Sequence, residues 1–208
     1  MRPRYSFEIM LEEGFFDPDR AFLVRRNKLP HWRQDGALYF VTFRLADSIP
    51  QEKLRVWSLD RDRWWRENPH PSACEVDAYQ TTVRRRMERW LDRGLGSCVL
   101  DILPAKRIVD DALRYFDGER YELGEVAVAA NHVHSLVRTA NGIDLSQVLH
   151  SWKLKTARDI LAVEDVKSIW SMPGRLWQHE SFDHIVRNEA GLEKIRTYIT
   201  NHKVGALS

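Results

Sequence analysis

Two short stretches of this chain hold residues whose types and spacing suit chemistry. In His132-Val133-His134 two imidazoles stand two residues apart. Side chains alternate along a strand, so both imidazoles leave from one face while Val133 points the other way into a core. Both can then reach one metal ion. Tyr198-Ile-Thr-Asn-His202 sets a phenol and a third imidazole four residues apart, on one face of a helix. A metal site beside a tyrosine suggests covalent phosphoryl transfer on a polynucleotide. Each part also has a plainer reading. The pair fits two histidines on an exposed strand face. Tyr198 shares its helical face with Ile195, Ile199 and His202, as a core tyrosine with its hydroxyl at the edge would. His202 alone fits a helix C-terminus, where its partial charge complements the dipole.

The elements that must position these residues follow from pattern. Ala37 to Leu45, after Gly36, is rich in aromatic and β-branched residues and predicts a strand. Pro50 opens a helix from Gln51 to near Arg66, and Asn68-Pro-His-Pro71 breaks it. A second helix is expected from Val76 to Arg93, ended by Gly94 and Gly96. A third starts at Pro104, which suits a first turn, and runs to Phe116. Strands are expected over Tyr121 to Ala129 and His132 to Arg138. Asp144 suits the cap of a helix from Leu145 to Leu161. Residues 162–175 read as irregular. A short strand over Phe182 to Val186 and a last helix from Glu189 to His202 complete the chain. Residues 1–30 read as an N-terminal arm, and 31–208 as a single catalytic domain. The order predicts an α+β fold: a ferredoxin-like antiparallel sheet with helices on one face, and extra helices inserted after the first strand.

Composition sets bounds. The 208 residues are 43% hydrophobic and 30% charged, with a formal net charge of +2. That supports one globular domain with a sizeable core. The pI near 8.6 lies below the value of about 9 that marks strongly basic nucleic-acid binders, so DNA contact must come from local patches. Eight tryptophans serve either as core or as stacking platforms. The two cysteines, Cys74 and Cys98, fit no zinc spacing or disulfide framework. No apolar run reaches the ~18 residues of a membrane span, and Met1 to Glu13 lacks the pattern of a signal peptide. A cytoplasmic protein with no membrane partner is expected.

Asn131-His-Val-His134 resembles the HUH motif (His, hydrophobic, His) of single-tyrosine transposases. Over most of its length, from about residue 29 to 202, the chain resembles the REP-associated tyrosine transposases. Leu29-Pro-His-Trp-Arg-Gln34 with Tyr39-Phe-Val-Thr-Phe-Arg-Leu45 is similar to that family's opening strand, and Phe116-Asp-Gly-Glu-Arg-Tyr121 to the lead into its histidine hairpin. Leu149-His-Ser-Trp-Lys153 is similar to the helix that follows. Leu176-Trp-Gln-His-Glu180, Phe182-Asp-His-Ile-Val-Arg-Asn188 and Tyr198-Ile199 are similar to its C-terminal part. The resemblance implies a fold of the HUH endonuclease type, with His132 and His134 as metal ligands and Tyr198 as nucleophile. His202 falls where the family usually has Asn, as a further ligand. Ala129-Ala130 stands where Met-Pro is common, and His202-Lys203-Val204 where Asn-Pro-Val is common. Loss of that proline would let the last helix run on or fray differently.

The implied cofactor is a divalent metal ion, Mg2+ or Mn2+. The implied partner is single-stranded or hairpin DNA of the REP type, bound by a monomer rather than a homodimer. Attack by Tyr198 would leave a 5′-phosphotyrosine and a free 3′-hydroxyl. A non-catalytic hairpin-binding module and a plain metal hydrolase are the alternatives. Candidate DNA contacts are Lys153 and Lys155 after the histidine hairpin, and Arg187 before the tyrosine helix. Trp32 and Arg33 offer a stacking plane and a cation. Arg84, Arg85 and Arg86 form a basic run expected to lie farther from the site.

Overall fold

The computed structural model describes residues 14–26 and 30–205. A four-stranded sheet is at its centre, in the order β4-β5-β3-β6 and antiparallel throughout. The strands are β3 (Leu38–Arg44), β4 (Tyr121–Val128), β5 (His132–Thr139) and β6 (Phe182–Ile185). Between β3 and β4 lie α1 (Gln51–Glu67), α2 (Ala73–Leu91) and α3 (Leu103–Arg114). The helix α4 (Leu145–Ile160) and a short α5 (Glu164–Ile169) follow β5, and α6 (Glu189–Gly205) follows β6. Without α1, α2 and α5 this is the βαββαβ order of a ferredoxin-like fold.

Alternation along the central strands divides the interior in two. Tyr39, Val41 and Phe43 of β3, with Val133 and Val137 of β5, pack against Ala105, Val109 and Leu113 of α3 and Val148 and Trp152 of α4. Leu38 and Phe40, with Leu136, face the other way onto Leu192, Ile195 and Ile199 of α6. The two ferredoxin helices thus share one face, as expected, and α6 adds a cover to the opposite one. Buried tryptophans lock the first face. Trp152 Nε1 donates to Tyr121 Oη at 2.9 Å, and Trp177 Nε1 to Thr156 Oγ1 at 2.8 Å. These rings are core, not platforms for bases.

The helix ends follow from local chemistry. The Asp144 side chain accepts from Ser146 N and caps α4. Ser72 and Glu75 form a capping box, so α2 starts three residues before the expected Val76. Apolar periodicity alone does not register a polar cap. The α1–α2 pair builds its own small core from Ile49, Trp57, Val83, Met87 and Leu91, with Phe182 of β6 packed against it. Two local features depart from expectation. Residues 162–175 contain α5, and the described part of 1–30 is not a free arm. There β1 (Leu23–Arg26) pairs with β2 (Pro30–Arg33) across the expected boundary. Gly14 O accepts from Leu38 N, and Phe16 N donates to Val186 O. Residues 1–13 and 27–29 lie outside the described part.

The return from α2 to the sheet depends on Gly96. Its φ is +92°, and a Cβ there would meet Asp47 O at 2.7 Å. Next to it, Ser97 N donates to the Asp47 carboxylate and Leu95 O accepts from Asn131 Nδ2. Gly96→Ala is expected to cost about 1–3 kcal/mol through backbone strain, plus the displacement of Asp47. Urea denaturation of wild type and variant, with unchanged m, checks it.

Candidate metal and nucleophile site

The register of β3 with β5 sets Thr42 opposite His134 and Arg44 opposite His132. These residues face the side that α6 covers. His132 is 2% exposed and His134 is fully buried. The Nδ1 of His132 donates to Asn131 Oδ1 at 2.7 Å, and Asn131 is itself held by Leu95 O. That bond leaves the His132 Nε2 lone pair free. The Nδ1 of His134 meets Thr42 Oγ1 at 2.8 Å. A hydroxyl can donate or accept, so either tautomer of His134 is served. The two Nε2 atoms face each other at 2.8 Å.

On α6, buried Ile195 and Ile199 fix the helix against the sheet, and Tyr198 and His202 lie toward the histidine pair. Ring centroids are 5.0 Å apart for Tyr198 and His134, and 4.3 Å for Tyr198 and His202. His202 stands 4.9 Å from His134 and 5.6 Å from His132. One ring nitrogen from each of the three histidines falls within 4.8 Å of the others. The Tyr198 hydroxyl is buried with no hydrogen-bond partner.

Burial, then the neighbouring His202 charge, brings His132 down to about 3. Burial and the other two rings hold His134 well below 6.5. Both are therefore neutral bases that can donate a lone pair. His202 differs. Its Nε2 donates to Asp92 Oδ1 at 2.9 Å and its Nδ1 to Tyr198 O at 3.1 Å. The Asp92 bond is the main cause that raises its pKa. His202 therefore reaches the pair with both nitrogens engaged, and must release one to become a ligand. Burial, followed by the fields of Glu88 and Asp92, pushes the Tyr198 phenol above its ordinary 10. A divalent cation fits this arrangement: two neutral imidazoles converge, a third is adjacent, and a buried hydroxyl lacks a partner. Nitrogen donors favour later first-row ions over the oxygen-seeking Mg2+, so of the two expected metals Mn2+ suits the set better.

Glu88 and Asp92 were not legible as site residues. Arg84, Glu88 and Asp92 recur every four residues, which marks one helical stripe, but nothing in the sequence turns that stripe toward Tyr198. The structure does so. Arg84 Nη1 donates to His184 Nε2 at 2.8 Å, beside Phe40 and within the field of Tyr198. The expectation that this basic run lies far from the site is corrected, because α2 lies beside α6, with Asp92 bonded to His202. Arg85 is exposed, and Arg86 pairs with Asp60 at 2.9 Å.

The other candidate cations are dispersed. Lys155 is exposed and pairs with Asp159 on α4, across the sheet from Tyr198. Lys153 is largely buried and donates to Gln178 O and His179 O. Arg187 pairs with Asp77 at 2.7 Å and lies over Phe16 and Trp32. Trp32 stacks on Phe22 and is 9% exposed, and Arg33 holds the buried Asp183 carboxylate at 2.5 Å. These two are packing and strut rather than an open base platform.

Residues 105–202 match the sequence profile of the family described as "Transposase IS200 like". In this segment, just under half of the chain, the sequence is similar to the IS200-like transposase family. The matched segment contains His132, His134, Tyr198 and His202. The function is accordingly related to DNA transposition. Two solved structures are similar at low identity. One is a REP-associated tyrosine transposase bound to a REP hairpin, 14% identical over 87% of this chain and 72% of that one, with a TM-score of 0.44. The other is a candidate transposase from Deinococcus radiodurans R1, 14% identical over 79% of this chain and 89% of that one, with a TM-score of 0.38. No curated protein matches the chain.

The depressed histidines set an acid limit. His184 is also lowered to about 3, first by burial and then by Arg84. An unfolded chain takes up protons near 6.5 that the folded protein refuses. Stability is therefore lost as pH falls below about 6.5, and the loss continues to about 3. Each such histidine contributes about 1.4 kcal/mol per pH unit within that window. His184→Gln keeps an acceptor for Arg84 and removes one titrating group. Urea unfolding free energies at pH 7, 6 and 5 in EDTA should fall less steeply in the variant, by close to one proton.

Proposed function

We propose that this chain is a cytoplasmic, metal-dependent enzyme that cuts and rejoins single-stranded DNA through Tyr198, on palindromic hairpins of the REP type. The observation that carries this reading is the buried, partnerless Tyr198 hydroxyl among three converging imidazoles. His132, His134 and, once released from Asp92, His202 would hold the ion. A bound divalent cation polarises the phosphodiester and favours the phenolate, against the burial and carboxylates that keep it protonated.

In the forward step the Tyr198 oxygen bonds to phosphorus as the bond from phosphorus to the 3′-oxygen breaks. The product is a 5′-phosphotyrosine and a 3′-hydroxyl. Attack by a 3′-hydroxyl reverses the step and rejoins the strand, so bond energy is conserved. The phenol proton passes to a nearby carboxylate and on to the leaving oxygen. Glu88 is the more basic candidate, since burial raises its pKa. All four site side chains come from one chain, which supports a monomer as the working unit.

Tyr198→Phe removes one oxygen and keeps the ring that packs between His134 and His202. It is expected to bind DNA hairpins as wild type does and to form no covalent adduct. Incubation of a hairpin oligonucleotide with Mn2+, followed by denaturing electrophoresis, reads this out. An adduct in the variant, or cutting by wild type without an adduct, means that the chemistry is not phosphotyrosine transfer. EDTA should abolish the adduct in wild type.

The side of the sheet is tested separately. DNA that reaches Tyr198 passes α2 and α6, not the exposed end of α4. Arg84→Gln with Arg85→Gln should lower the slope of log affinity against log salt by more than Lys155→Gln does. Each lost phosphate contact is worth about 0.7 in slope for single strands. A larger loss from Lys155→Gln would put the DNA across α4.

A further inference from the structure

Arg44 ends β3, and its register partner is His132. Its side chain leaves from the same sheet face as the histidine pair, and the residue is 3% exposed. One nitrogen, Nη1, bonds Ser48 Oγ at 3.2 Å and Leu45 O at 3.5 Å. Nε is buried with no hydrogen-bond partner. Among the described residues no carboxylate pairs with this guanidinium. Its charged neighbours are cations. Burial and then Arg175 draw it down to about 10. Lys153 is brought to about 8 by burial and then by Arg44, while Glu180 and Asp183 act on Lys153 in the other direction.

The contrast with Arg33 is instructive. That guanidinium is also largely buried, but the Asp183 carboxylate holds it. A buried charge is costly unless it is paired. Arg44 has no such pair, yet its place is rigidly made. Ala46 N donates to Leu176 O at 2.8 Å and Gln178 N to Arg44 O at 2.9 Å, strapping the segment of Arg175 to the end of β3. On the other side Leu45 N donates to Asn131 O at 2.9 Å, beside His132. Arg44 therefore stands at the edge of the histidine centre, and Arg175 is exposed to solvent.

We propose that Arg44, with Lys153 and Arg175, forms an anion subsite that takes a DNA phosphate neighbouring the one attacked by Tyr198. The proposal rests on the reading that DNA occupies the histidine centre. It adds an element that the nucleophile and metal ligands do not supply, namely a fixed point that sets which linkage lies over the phenol. Guanidinium suits this because its planar fork can bond two phosphate oxygens.

The test uses the full chain on a Tyr198→Phe background, so that binding is read apart from cutting. Two probes are used: inorganic sulfate, and a DNA hairpin with a single-stranded thymidine flank carrying a neutral methylphosphonate at one linkage at a time. Arg44→Met should melt no lower than its parent without anions, because an unpaired buried charge is gone. Sulfate should raise the melting temperature of the parent and not of the variant. Affinity for the unmodified hairpin should fall about tenfold, the scale of one charge-assisted hydrogen bond, with a salt slope smaller by about 0.7. One methylphosphonate position should weaken the parent and leave Arg44→Met unaffected. Arg44→Lys keeps the charge and should retain the sulfate response, and with Arg44→Gln it carries the test if the Met variant does not fold. Lower melting of the neutral variants with unchanged DNA affinity overturns the proposal and makes Arg44 a strut for residues 45–48. A sulfate response without any linkage effect also overturns it, in favour of a free anion as ligand. Absence of a covalent adduct in wild type would sink phosphotyrosine chemistry while leaving these binding results intact.

Discussion

The pairing of β5 with β3 is the constraint on which the rest depends. Because the side-chain period in a strand is two, this register sends His132, His134 and Leu136 to one face and Val133 and Val137 to the other. A slip of one residue would bury the imidazoles among α3 and α4 and turn the valines toward α6. The apolar halves of both strands thus do more than fill a core. Their burial on the α3–α4 face holds the register that aims both Nε2 atoms at one point. Thr42 and Asn131 then orient the rings, and each of them has its position fixed by the same sheet or by the loop after α2.

Electrostatics works in opposite directions on the two halves of the site. Burial favours the metal-ligand role of His132 and His134, since a neutral imidazole is the ligating form. The same burial, with Glu88 and Asp92 nearby, disfavours ionisation of Tyr198. A phenol held protonated in this way is a weak nucleophile. His202 links the two halves, because Asp92 holds it as a donor while its ring stands within reach of the pair. A proton and a divalent ion therefore compete for one His202 nitrogen, and ligation requires that the proton leave.

Much of this was legible in the sequence, and the limits are physical. A run rich in aromatic and β-branched residues placed β3, and Pro104 and Asp144 marked helix starts correctly, because those signals are local. His132, His134, Tyr198 and His202 were found because their spacing is short and within single elements. Arg44, Glu88 and Asp92 were not, since their meaning depends on how separate elements come together. Trp32 and Arg33 illustrate the same limit from the other side. As types they suit a stacking platform, but Phe16, Phe22 and Asp183, distant in sequence or on another strand, claim them for packing.

The inserted α1–α2 pair is where this chain adds to a ferredoxin-like frame. A helical pair with its own small core could have stood apart from the sheet. Instead Phe182 of β6 packs against that core, Arg187 bonds Asp77, Arg84 bonds His184, and Asp92 bonds His202. The last two contacts fall on residues that touch the histidine centre or the strand beside it. Between α2, β6 and α6 this leaves a cleft of about 310 Å³, lined in part by Gln80, Arg84, His184 and Asn188. Its wall from α6 includes Ile195, one turn before Tyr198. The placement of Tyr198 therefore depends on how tightly the insert holds α6, and the insert's polar contacts, more than its small core, couple it to the histidine centre.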